Sequence, residues 1–142
     1  MIFSSSKRKG FLILVVLIMI IVSGCRASVE VKRDVVPKIV QSVVQDTKDA
    51  MATKNVDTAR KVWSRVSEYS LKAQESGDKE LSSALSSVAA TYVNLIEFCQ
   101  TGEEKSLLKF KEDFIKSFEE MKKIKEIGEI IKEMKIEELL VE

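Results

Sequence analysis

The side chains that could do chemistry in this chain are two thiols and a large set of lysines and carboxylates. Cys25 and Cys99 are the cysteines, and the 142 residues contain no histidine. Histidine is the commonest general base and metal ligand, so its absence removes both roles at neutral pH. The sequence has no nucleophile elbow, no phosphate-cradling glycine loop and no paired-cysteine metal motif. Carboxylate-bridged metal bundles need Glu-x-x-His on facing helices, which this chain cannot supply. Its acidic residues are interleaved with lysines, as in Glu112 with Lys116 and Glu119 with Lys123, an i,i+4 spacing that belongs to solvated helix faces. The reading is of a protein that is not an enzyme and has no catalytic, cofactor-binding or metal-binding residues.

Cys25 is different because of what precedes it. Lys7, Arg8 and Lys9 form a basic block, Phe11 to Val22 is an unbroken run of twelve apolar residues, and Ser23 and Gly24 lead into the cysteine. A cationic block is retained on the cytoplasmic side of a membrane. Twelve apolar residues span about 18 Å as a helix, short of the roughly 30 Å hydrocarbon core. That length suits a signal-peptide core rather than a spanning helix. Small residues let an extended backbone enter a peptidase, and a cysteine thiolate is the nucleophile that a lipid-transfer step needs. Residues 7–25 resemble the bacterial lipoprotein signal peptide, with Val22-Ser23-Gly24-Cys25 as its lipobox. The resemblance implies cleavage between Gly24 and Cys25. It also implies a diacylglyceryl group on Cys25, with or without a further N-acyl chain, and a location on the extracytoplasmic face of the cell membrane. An uncleaved anchor and an ordinary secretory signal are the competing readings.

Removing residues 1–24 from the 142 leaves 118, one domain's worth of chain. It also takes the 23 basic residues down to 20 against 22 acidic ones, a charge near −2 that excludes a nucleic-acid binder. Pro37 is the single proline, and the glycines after Cys25 are Gly77, Gly102 and Gly128. So little glycine and proline, with so much Lys, Glu, Ala, Leu and Ser, predicts an all-helical domain. If Cys25 carries lipid, Cys99 has no partner for an internal disulfide. Cys99 follows Leu95 and Ile96 on an apolar face and is expected to act as a small buried hydrophobe, an intermolecular disulfide or reactive thiol being the alternatives.

The elements follow from the period of the apolar positions. Residues 25–34 read as a solvated, membrane-proximal tether that keeps the domain close to the bilayer, with Arg26, Lys32 and Arg33 turned toward it. A first helix is predicted from Asp34, a plausible cap, to Lys54, with Pro37 in its first turn. Its stripe is Val36, Ile39, Val40, Val43, Val44, Ala50 and Met51, with Thr47 in the gap. Asp57 is expected to cap a second helix, Thr58 to Ser76, with Ala59, Val62, Trp63, Val66, Tyr69 and Ala73 inward. Gly77 ends it and Asp78 caps a third, Lys79 to Thr101, which Gly102 ends. A single helix over 103–140 would be about 57 Å long against about 30 Å for the others, so a break is expected at Gly128, between a bundle helix to Lys125 and a second piece from Glu129.

Connections of two or three residues make consecutive helices antiparallel neighbours. The predicted fold is all-α, an antiparallel up-down-up-down four-helix bundle over 35–126 with a C-terminal helical extension over 127–142. Trp63, Tyr92, Phe110, Phe114 and Phe118 are expected to carry much of the core. The third helix also has a face of small residues, Ser82, Ser83, Ser86 and Ser87, suited to close packing inside the bundle or to a partner helix. The extension either folds back over one end of the bundle or leaves Ile127, Ile130, Ile131 and Met134 exposed as a partner-binding patch. The functional expectation is a lipid-anchored, non-catalytic module that binds another envelope protein or serves as a structural part, with self-association open. A small-molecule or lipid carrier with an internal pocket, and an immunity or exclusion factor at the membrane, are the alternatives.

Overall fold

In a computed structural model of the chain, the structure describes residues 31–140. Cys25 and the signal-like segment before it lie outside the described residues, as do residues 141–142. Every element in the described part is helical: a short 3-10 turn at Arg33–Val35, then α1 (Val36–Thr53), α2 (Val56–Glu75), α3 (Lys79–Thr101), α4 (Glu104–Lys122), α5 (Gly128–Met134) and the single turn α6 (Ile136–Leu139). The domain is all-α, as predicted, and α1 to α5 pack against one another in chain order.

The caps explain most of the boundaries. Asn55 caps α2, its Oδ1 accepting from the Asp57 and Thr58 amides at 2.9 and 3.2 Å; Asp57, expected in that role, lies inside the first turn. Asp78 caps α3 by accepting from the Leu81 amide at 3.2 Å. Gly77 and Gly102 sit in the left-handed region at φ 85° and 73°, as a helix-ending glycine should. α1 has no side-chain cap; Asp34 lies in the preceding 3-10 turn and does not cap it.

The core is continuous. Val36, Val40, Val43 and Val44 from α1 meet Val62 and Val66 from α2, Leu81, Leu85, Val88, Tyr92, Leu95 and Phe98 from α3, and the α4 aromatics. Phe110, Phe114, Phe118 and Tyr92 form a chain of tilted and edge-on rings with centroids 5.0 to 6.0 Å apart. The Tyr92 hydroxyl lies 2.8 Å from Thr47 Oγ1, which itself donates to the Val43 carbonyl at 2.7 Å, so the tyrosine is the donor. Thr47 thus fills the gap in the α1 stripe by satisfying a buried phenol. Burial drives the Tyr92 pKa far above its ordinary value, which keeps that donor protonated.

Two elements differ from expectation. α4 stops at Lys122, three residues early, and the chain turns through Lys123–Ile127 before α5 starts at Gly128. A Cβ on Gly128 would collide with the Lys122 carbonyl oxygen, so glycine is required for close approach of the two backbones at this break. Beyond the break the chain returns along the domain. Ile124, Ile127, Ile131, Ile136 and Leu140 are all buried, and Leu140 shares a groove with Met51 of α1 and Leu107 of α4. Lys122 clamps the return by bonding Glu137 at 3.2 Å as well as Glu119 at 3.1 Å. The second difference is at the start. Val31 is buried, and Arg33 forks onto Asp78, Nε to Oδ2 at 2.9 Å and Nη2 to Oδ1 at 3.0 Å, with Nη1 donating to the Lys125 carbonyl at 3.3 Å. From Val31 onward the expected solvated tether is therefore part of the domain.

Candidate partner surface

The four extension residues expected to bind a partner are split by the packing. Ile127 is 1 % exposed and Ile131 0 %, both in the core; Met134 is half-buried against it; Ile130 alone faces solvent, at 44 %. An apolar side chain in the core offers nothing to a partner, so the extension presents one isolated isoleucine.

The serine face of α3 is used inside the chain. Ser70 of α2 donates to the Ser82 carbonyl at 2.8 Å, and its hydroxyl lies 2.6 Å from that of Ser86. Ser83 and Ser87 turn the other way, 3.5 and 3.4 Å from Glu120 of α4. Small side chains here let α3 pack closely against both neighbours, with Ala59, Ala73, Ala84 and Ala89 also buried. That closeness has a consequence for Trp63. With small residues lining the α2–α3 contact, an indole does not fit between the helices. Trp63 is 43 % exposed, a correction to its expected place in the core; Phe98 of α3, not among the aromatics expected there, is buried.

The Ser70–Ser86 contact also fixes the register of the outer α2–α3 face. A step of seven residues is two helical turns and returns to nearly the same azimuth. Stepping back seven from Ser70 gives Trp63, and stepping on seven from Ser86 gives Val93. In an antiparallel pair both steps go the same way, so Trp63 and Val93 occupy the equivalent pair of positions two turns along. Val93 is 63 % exposed. Leu71, eight residues on from Trp63 and turned about 80° from it around α2, is 59 % exposed. Trp63, Leu71 and Val93 are the exposed large apolar side chains of α2 and α3, with Trp63 and Val93 together forming a strip at the outer seam of the two helices. A single-sequence stripe count misses this strip, because Trp63 falls within the inward arc of α2; the small residues facing it were the available signal.

Burial pushes the Cys99 thiol up, toward the protonated form that is the poor nucleophile, and its sulfur lies 3.7 Å from the Ala50 carbonyl. Arg65 reaches Asp46 at 2.6 Å between α1 and α2. Among the described residues no cluster of His, Cys, Asp and Glu has the arrangement to hold a metal ion, and no helix is long and apolar enough to cross a membrane. An apolar interior cleft bounded by Ile39, Val66, Leu85 and Phe118 amounts to about 10 Å³. No family model matches this chain, no curated protein is similar to it, and no solved structure resembles it.

Proposed function

We propose that this protein is a lipid-anchored, extracytoplasmic helical module that binds another protein of the bacterial envelope and catalyses no reaction. The single observation that carries the binding role is the exposure of Trp63 on α2 and of Val93 at the equivalent position on α3. Tryptophan is the residue type most enriched among the side chains that dominate interface energies. A chain able to bury four aromatic rings in one cluster, yet leaving its one tryptophan at the surface, has the composition of a contact site there. The location rests on the lipobox resemblance at Val22-Ser23-Gly24-Cys25, and the anchor is the lipid on Cys25.

In this reading the domain is an up-down-up-down four-helix bundle with a returning C-terminal strap. Contacts at the two ends support that order. Arg33 before α1 meets Asp78 at the start of α3 and Lys125 after α4, while Lys54 at the end of α1 lies over the Phe98 ring near the end of α3, at 5.6 Å. A small-ligand carrier would need an apolar cavity of several hundred Å³; among the described residues the cleft between the helices holds about 10 Å³, and the cleft of about 720 Å³ is an open one lined largely by charged side chains such as Lys122, Glu126 and Lys132, which counts against that role. The immunity or exclusion role remains a special case of partner binding, in which the partner is a foreign protein.

The test is cross-linking of the full-length protein in its native membranes, followed by mass spectrometry. A dominant envelope protein is expected with the wild-type chain. It should be lost in Trp63→Ser and Val93→Asp and kept in Ile130→Ser. Unchanged recovery with both strip variants would overturn the assigned surface, and self-links alone would replace the partner with a second copy.

A further inference from the structure

We infer that the end of the domain carrying the α2–α3 and α4–α5 turns is the end nearer the bilayer, and the end carrying the α1–α2 and α3–α4 turns the one farther from it. This orientation rests on the lipid-anchor reading of Cys25.

The argument is one of reach. Residues 26–30 separate Cys25 from Val31, and six Cα steps extend at most about 20 Å. Val31 is held: its side chain is buried, and two residues on, Arg33 forks onto Asp78 and bonds the Lys125 carbonyl. A bidentate arginine–carboxylate pair with a third bond to a backbone carbonyl fixes position, which a single surface ion pair does not. The point where the chain leaves the domain is therefore tied to the Ser76–Asp78 turn and to the Lys123–Ile127 turn at once. α4 is the ruler: from Lys105 to Lys123 is about 27 Å of helix, longer than the whole free tether. If Cys25 sits in the headgroup layer, the far end of α4 cannot be the end beside it.

The occupant of that end is a lipid surface, brought there by the tether. Charge alone does not select it. Lys79, Lys123 and Lys125 project there, but so do Asp34, Glu75, Glu80 and Glu126, so the end is electrically mixed. The placement should therefore hold on zwitterionic lipid and need no anionic headgroups.

The experiment uses the full-length lipidated protein, purified from membranes and reconstituted into phosphatidylcholine vesicles. Cys99→Ser removes the internal thiol, and single labels are placed at Lys123→Cys or Lys105→Cys, both exposed positions. A fluorophore at 123 should be quenched by headgroup-labelled lipid several-fold more strongly than one at 105. Arg33→Ala in the same proteins should shrink that ratio toward one while helicity is retained. Equal or reversed quenching in protein whose intact mass shows lipid on Cys25 would overturn the orientation alone. A mass without added lipid would overturn the anchor reading and the orientation with it.

Discussion

The returning segment Ile127–Leu140 and the outer strip of α2 and α3 are both rich in apolar side chains, and they meet opposite fates. The first joins the core through Ile131, Ile136 and Leu140, the last of them beside Met51 of α1 and Leu107 of α4. The second lies beside a seam of small residues, where Ser70 of α2 bonds Ser82 and Ser86 of α3 and Trp63 stays at the surface. Burial is decided by the room opposite a residue more than by the residue's own hydrophobicity. A large side chain next to a small-residue seam is displaced to the surface, where a partner can take it.

That contrast can be broken at several points. The largest effect is expected from Ile131→Ala, which should cost about 3 kcal/mol by removing a fully buried side chain from under the strap. Urea unfolding of the soluble 25–142 chain with Cys25→Ser would show it, and a cost below about 1 kcal/mol would mean that the strap does not seal the core. Gly128→Ala should cost about 2 kcal/mol, since the new methyl meets the Lys122 carbonyl backbone rather than a side chain that could swing away.

Asp78→Ala comes next, at about 1–2 kcal/mol for the loss of a helix cap and the arginine fork together. The same pair predicts a pH dependence. The Arg33 guanidinium holds the Asp78 carboxyl below its ordinary value, so the folded-state pKa is depressed. Its contribution is complete above the unfolded value, near pH 4, and is lost as pH falls through the lower folded value. Acid unfolding of the wild type should therefore steepen in that window relative to Asp78→Asn. The smallest effect on the fold is expected from Trp63→Ser, within about 0.5 kcal/mol because the indole is at the surface. This variant should nonetheless abolish partner recovery. A loss of stability comparable to Ile131→Ala would instead return Trp63 to the core and remove the strip.

The local rules were legible in the sequence. Asp78 as a cap, Gly77 and Gly102 as helix ends, the limits of α3 and the inward Phe110, Phe114 and Phe118 all depend on neighbours within four residues along the chain. The sequence leaves the extension open between two states and points Trp63 inward, because periodicity reports the angle of a residue on its own helix and nothing about the surface it meets. Arg33 was read as facing a membrane, since its partner Asp78 is 45 residues away.

By itself, then, the sequence determined an all-helical domain, together with a resemblance of residues 7–25 to a lipoprotein signal peptide. Its composition, the 3.6-residue period, the capping residues and the order of the basic, apolar and small residues before Cys25 are properties of short stretches. Only the tertiary structure decided that Gly128 marks a close approach of two backbones, that residues 127–140 return to the core, that Val31 and Arg33 are locked to the domain, and that the tryptophan is at the surface. Each depends on which side chains lie opposite across helices far apart in the chain, and that is settled when the volumes between the helices are filled.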